Sequence, residues 1–246
     1  MSYRSYTDNS YRNYNAHPTD RYEFVGKVYG LLTSQIVLLT ALTFILSTIF
    51  PSVCLSVLSH PFIFILTFLG LSLALYFYRK KHPANLALFT AATALMSLPM
   101  GAMAFHDPSL TAAGLGLALV PFVGLTAYTL KRRKQPSPAI GAAFGIGALS
   151  LCSLVYTISA LVLHRRVDSL LYLGVSLLVE CLYVVVDTDR VLRVVPDDDY
   201  VYGAFILFGD FVRLAVKIME VIAKLQEKDK DKRRDRRNGS RNRFVG

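Results

Sequence analysis

The sequence predicts an all-α integral membrane protein of seven transmembrane helices. Three observations carry that prediction: an apolar composition, seven long apolar runs, and basic residues concentrated in alternate connections. Of 246 residues, 53% are hydrophobic, and the mean hydropathy is +0.42. That is too apolar for a soluble chain of this length. A membrane span needs about 20 mostly apolar residues. Such runs occur at about 28–50, 62–78, 84–104, 110–130, 139–163, 169–190 and 201–223. The first begins too far in, and is too long, for a cleaved signal peptide, and it lacks a small-residue cleavage site.

The runs divide the chain into an N-terminal tail (1–22), a membrane domain (23–225) and a basic C-terminal tail (226–246). The first 20 residues are rich in Tyr, Asn, Ser and Arg without apolar periodicity, and both tails read as disordered. Pro99 in span three and Pro121 in span four mark places where those helices bend. Glycines at 114, 116, 141, 145 and 147 let spans four and five approach their neighbours closely.

Orientation follows from the connections. Arg79-Lys80-Lys81 lies between spans two and three, and Lys131-Arg132-Arg133-Lys134 between four and five. The connection from Pro51 to Pro61 and the His106-Asp107-Pro108 link have no Lys or Arg, and Arg165 and Arg166 alone lie between five and six. Positive charge stays on the cytosolic side, so the N-terminus is expected in the cytosol. Seven crossings would then place the basic tail on the far side. Span seven either crosses fully or re-enters, and Asn238-Gly239-Ser240, a glycosylation acceptor pattern, distinguishes the two.

Formal net charge is +10. Much of it lies in the tail, where Lys228, Lys230, Lys232, Arg233, Arg234, Arg236 and Arg237 cluster. Beside a bilayer such a run attracts anionic headgroups or an acidic partner, or serves as a solvated end. Nucleic acid is not an expected partner, because the run has no interleaved aromatics. The three cysteines, Cys54, Cys152 and Cys181, have neither metal nor redox spacing and read as small buried residues.

The last two spans contain the chemistry. Span six holds Glu180 and Asp187; span seven holds Asp210, Arg213, Lys217 and Glu220. Each charge at bilayer depth costs roughly 2.5–3.5 kcal/mol on insertion scales, which marks these residues as functional. In span seven the polar positions 210, 213, 217, 220 and 224 repeat on one helical face, which has to turn toward other helices or a wet cavity. Counting outward from between Asp198 and Asp199, Asp187 is level with Asp210, and Glu180 with Lys217. Two polar layers are expected, about 10 Å apart at helical rise: a carboxylate pair, and an acid–base pair beneath it. Two carboxylates held close cannot both ionise freely, so they share a proton. Ionised, they attract a hard cation such as calcium in transit, with no resident cofactor. Arg213 competes for Asp210. A purely structural, self-neutralising network is the alternative.

Several of these stretches resemble one family. Val184-Val185-Val186-Asp187-Thr188-Asp189 is similar to the aspartate-threonine motif of the Bax inhibitor-1 family, the transmembrane Bax-inhibitor-motif proteins. Leu207-Phe208-Gly209-Asp210-Phe211-Val212 resembles its span-seven motif, with further matches at Lys27-Val28-Tyr29, at Asp107-Pro108-Ser109 and in the lysine-rich tail from Gln226 to Lys232. The resemblance implies a seventh helix surrounded by the other six. It further implies residence in the endoplasmic reticulum, suppression of cell death, a pH-sensitive calcium leak, and partners among cell-death regulators of the Bcl-2 type. It assigns Asp187 and Asp210 as the pH sensor. The chain departs from the pattern with Asp189 where glutamine is common, with Ile206 where some members carry another acid, and with no basic residue in span two before Arg79. Arg213 and Arg190 are the alternatives for the missing cation.

Catalysis is not expected. His17, His60, His82, His106 and His164 lie at segment ends or in a tail and form no ligand pair at helical spacing. A receptor topology is disfavoured by the connection charges. The remaining rival is a non-conducting scaffold that binds lipids or death regulators through its basic tail.

Overall fold

The computed structural model describes residues 18–131 and 170–243. Span five, both connections flanking it, Cys152, His17, His164 and most of the N-terminal tail lie outside the described residues. Among the described residues there is no strand. The helices are α1 (Pro18–Ile49), α2 (Pro51–Ser59), α3 (Pro61–Tyr78), α4 (Ala84–His106), α5 (Pro108–Lys131), α6 (Leu170–Arg193) and α7 (Tyr200–Arg243). A 3-10 turn, Asp197–Asp199, separates the last two.

Four stretches are long and apolar enough to cross a bilayer: Tyr22–Ile49, Pro61–Tyr78, Ala84–His106 and Pro108–Tyr128. These match the first four expected spans. Helices α6 and α7 occupy the sixth and seventh expected spans but carry the ionisable residues, so apolarity alone does not mark them.

Proline starts four of the helices, where its missing N–H removes no helical bond. Asp107 caps α5: its Oδ1 accepts from Ser109 Oγ at 2.7 Å and from the Leu110 N–H at 2.9 Å. This gives the Asp107-Pro108-Ser109 match a local physical role. The Pro51 to Pro61 stretch, read as a plain connection, is mostly helical, and it buries Cys54 against α4, where a Cβ on Gly101 would come within 2.7 Å of the thiol sulfur. Helices α4 and α5 run through Pro99 and Pro121.

Buried residues of α1 recur at Phe24, Val28, Leu32, Gln35, Leu39, Thr43 and Ser47, one stripe at helical spacing. That stripe packs on α4 and α7. Gln35 is tied across it, its Oε1 accepting from the buried Thr93 Oγ1 at 2.7 Å. The outer face of α3 is apolar and open, with Phe62, Leu66 and Phe77 exposed, as a lipid-facing surface requires.

Helix α7 packs against α1, α4, α5 and α6. Aromatic pairs hold it: Phe89 of α4 meets Phe205 and Phe208 edge-on at 5.6 and 5.4 Å, and Phe122 of α5 meets Phe211 at 5.7 Å. The helix does not stop at the expected membrane boundary. It continues to Arg243 through the stretch read as a disordered tail. Acid–base spacing explains this locally: Lys224 pairs with Glu227 at 2.8 Å and Arg233 with Asp229 at 3.0 Å, i,i+3 and i,i+4 contacts that favour helix.

Candidate functional site

The charged residues of α6 and α7 meet around one guanidinium. Arg213 Nη2 donates to Asp210 Oδ1 in a close contact. The same nitrogen lies 4.0 Å from Asp187 Oδ2, and Arg213 Nε is 3.3 Å from Glu180 Oε2. The Tyr183 ring centroid is 5.0 Å from the guanidinium carbon, a cation–π contact that fixes its plane.

Asp187 and Asp210 face the same Arg213 nitrogen from α6 and α7. Asp210 is 1% exposed, and its Oδ2 has no hydrogen-bond donor among the described residues. Two carboxylate oxygens side by side repel when both are charged, and a proton between them converts repulsion into a hydrogen bond. Asp187 is partly exposed, while Asp210 is closed off.

The second layer differs from expectation. Glu180 pairs with Arg213, while Lys217 pairs with Glu220 on its own helix at 2.9 Å. Mirror counting fixes depth but ignores reach. Arg213 starts one turn past Asp210, between the two layers, and its long forked side chain serves both. Of the two alternatives for the cation, Arg213 makes the contacts; Arg190 is exposed and acts on Asp187 only at a distance. Asp189, the departure from the family motif, pairs with Arg193 at 2.7 Å.

Two features escaped sequence reasoning. The hydroxyl groups of Tyr29 (α1), Thr126 (α5) and Thr188 (α6) gather in one place. Thr126 and Thr188 are buried, and among the described residues none of the three hydroxyls has a formed hydrogen bond. Tyr29 and Thr188 belong to two separately recognised motifs, so the fold joins them. The second is a pair of bridges between connections, Arg79 to Asp199 at 3.5 Å and Lys80 to Asp198 at 3.3 Å. Opposite charge in the two connections was the available signal, but nothing in the order of residues pairs them.

Of the basic tail, Lys228, Lys230 and Arg233 are exposed on α7. Lys232, Arg234, Arg236 and Arg237 lie on its helical backbone, their side chains outside the described set.

A charged helix packed against three apolar helices of span length, and meeting α6 through facing acidic groups, defines a helical membrane protein with a polar cluster between its last two described helices. Residues 21–227 match the family model described as "Inhibitor of apoptosis-promoting Bax1", and the chain belongs to that family. It is similar to Protein lifeguard 4 of Mus musculus, 30% identical over 212 residues covering 85% of this chain and 87% of the relative. It is also similar to Bax inhibitor 1 of Schizosaccharomyces pombe, 28% identical, covering 85% of this chain and 79% of the relative. The Golgi anti-apoptotic protein of Vaccinia virus (strain Lister) is 26% identical, with 82% and 85% covered. No solved structure matches the chain. These relatives support an anti-apoptotic membrane family.

Proposed function

We propose that this protein suppresses cell death from the endoplasmic-reticulum membrane as a pH-sensitive calcium leak, gated by Asp187 and Asp210. The observation that carries the reading is the geometry of that pair: two carboxyl groups facing one Arg213 nitrogen, one buried Asp210 oxygen without a donor among the described residues, and a cation bound to the other. Ionised, the pair attracts a permeant calcium ion; sharing a proton, it does so less. Arg213 is a tethered rival for the same oxygens. In this reading α6 and α7 are spans six and seven, residues 139–163 supply span five, and the N-terminus faces the cytosol. Calcium passes rather than resides, no cofactor is needed, and the protein is not an enzyme.

The test is efflux from calcium-loaded vesicles reconstituted with purified protein. The expected result is a pH-dependent leak whose profile changes in Asp187→Asn and in Asp210→Asn. If both variants track the wild type at every pH, the gate is elsewhere.

A second reading rests on the α7 extension. An exposed helical arm presenting Lys228, Lys230 and Arg233 suits anionic lipid or death regulators of the Bcl-2 type. A protein without pH-dependent efflux, whose vesicle or partner binding falls when the arm is removed, would be such a scaffold.

A further inference from the structure

The buried bridge between Arg79 and Asp199 lies away from the carboxylate cluster. Helix α3 ends at Tyr78, and the Arg79 carbonyl accepts from Asn85 Nδ2 at 2.8 Å, which fixes the connection. The Arg79 guanidinium lies over the rings of Tyr76 and Tyr202, 5.1 and 5.9 Å from their centroids. Its Nε is 3.5 Å from Asp199 Oδ2. The Asp199 side chain is 0% exposed, and neither of its oxygens receives a hydrogen bond among the described residues. By contrast, Lys80 and Asp198 are both well solvated, and such a pair contributes little.

Among the described residues, Asp199 is therefore a buried carboxylate held by one cation within salt-bridge distance and by no side-chain hydrogen bond. Burial pushes its carboxyl above the ordinary value of 3.8, Arg79 pulls the other way, Asp198 adds to the rise and Lys80 opposes it. Asp197 lies in the same turn, Lys81 and His82 belong to the α3–α4 connection, and α1, which packs on the turn, carries the exposed Glu23–Lys27 pair. Seated, Asp199 holds its proton more tightly than it would in water. Proton uptake thus favours the seated turn, and seating weakens as pH rises through the raised value.

We propose that Arg79 is a conditional anchor: it keeps the α6–α7 turn seated while Asp199 is ionised, and the seat no longer needs it once Asp199 is neutral. Helix α7 begins at Tyr200, so this seat fixes where the charged helix starts. Asp210 follows eleven residues after Asp199, about 16 Å along α7 at helical rise.

The test is amide hydrogen exchange on the full chain in lipid nanodiscs, read as protection factors for residues 196–204 from about pH 8 to about pH 4. Arg79→Gln should lower protection by about tenfold or more at the alkaline end and leave it near wild type at the acid end. Asp199→Asn, neutral at every pH, should hold the protection that the wild type shows at the acid end throughout, and the double variant should match it. Equal loss in Arg79→Gln at all pH values, or none, overturns the proposal, as does a double variant no better protected than Arg79→Gln. Asp199→Asn guards against a failure of Arg79→Gln to fold, because lost protection in Asp199→Asn alone also overturns it. Unchanged exchange in residues 111–118 of α5 separates local unseating from unfolding.

Discussion

Gly114 of α5 offers a demanding check on how α7 is held. A Cβ built there would lie 2.1 Å from Met219 Cγ and 3.2 Å from both its Sδ and its Cε. Carbon atoms pack at about 3.5–4 Å, so Gly114→Ala creates a shortfall of roughly 1.5 Å. Met219 is fully buried, and its Cγ moves only by changing χ1 or by displacing α7. Overpacking of this kind costs about 1–3 kcal/mol. Alanine returns about 0.8–1 kcal/mol of helix propensity. The net expectation is a destabilisation of about 0–2 kcal/mol. Gly116, two residues on, has nothing within 4 Å of its Cβ position, so Gly116→Ala should be neutral or stabilising. Met219→Ala alone leaves a cavity and costs about 2–5 kcal/mol. Combined with Gly114→Ala it should cost less than the sum of the two, because the new methyl enters the emptied space. Thermal unfolding in detergent reads all four. Equal behaviour of Gly114→Ala and Gly116→Ala, or strict additivity with Met219→Ala, would refute the close approach of α5 and α7.

Arg213→Lys keeps the charge but loses the fork that spans Glu180 and Asp210. It should cost about 1–2 kcal/mol, discounted because Arg213 is 49% exposed, and should change the pH profile of efflux. Lys217→Ala breaks only its pair with Glu220 and should cost under about 1 kcal/mol, a smaller effect than the expected Glu180–Lys217 pair would imply. The Asp107 carboxyl is held below the ordinary 3.8, first by Ser109 Oγ and then by the Leu110 N–H. Its contribution is present above that ordinary value and lost as pH falls through the lowered one. Asp107→Asn should flatten the acid limb of the stability curve while keeping the cap, and Asp107→Ala should loosen the start of α5 in hydrogen exchange. Removing residues 228–246 should leave thermal unfolding unchanged and reduce binding to anionic vesicles; loss of folded protein would show that the α7 extension belongs to the core.

What the sequence determined by itself was whatever depends on local spacing or on depth along a helix. Apolar runs about 20 residues long marked the first four spans. Charges at 187 and 210, equidistant from a turn, placed two carboxylates level before any contact was known, because paired helices rise at the same rate. Facing, reach and non-local pairing needed the tertiary structure. Glu180 and Lys217 are level, yet the longer-reaching Arg213 takes Glu180. Arg79 and Asp199 are 120 positions apart, and only the packing of α3, α4 and α7 makes one the partner of the other. Tyr29, Thr126 and Thr188 likewise come from three helices and meet only in the fold. Helical rise is a property of the backbone and can be counted along the chain. Which side chain wins a shared partner depends on distance, burial and competing charge, and those exist only once the helices have packed.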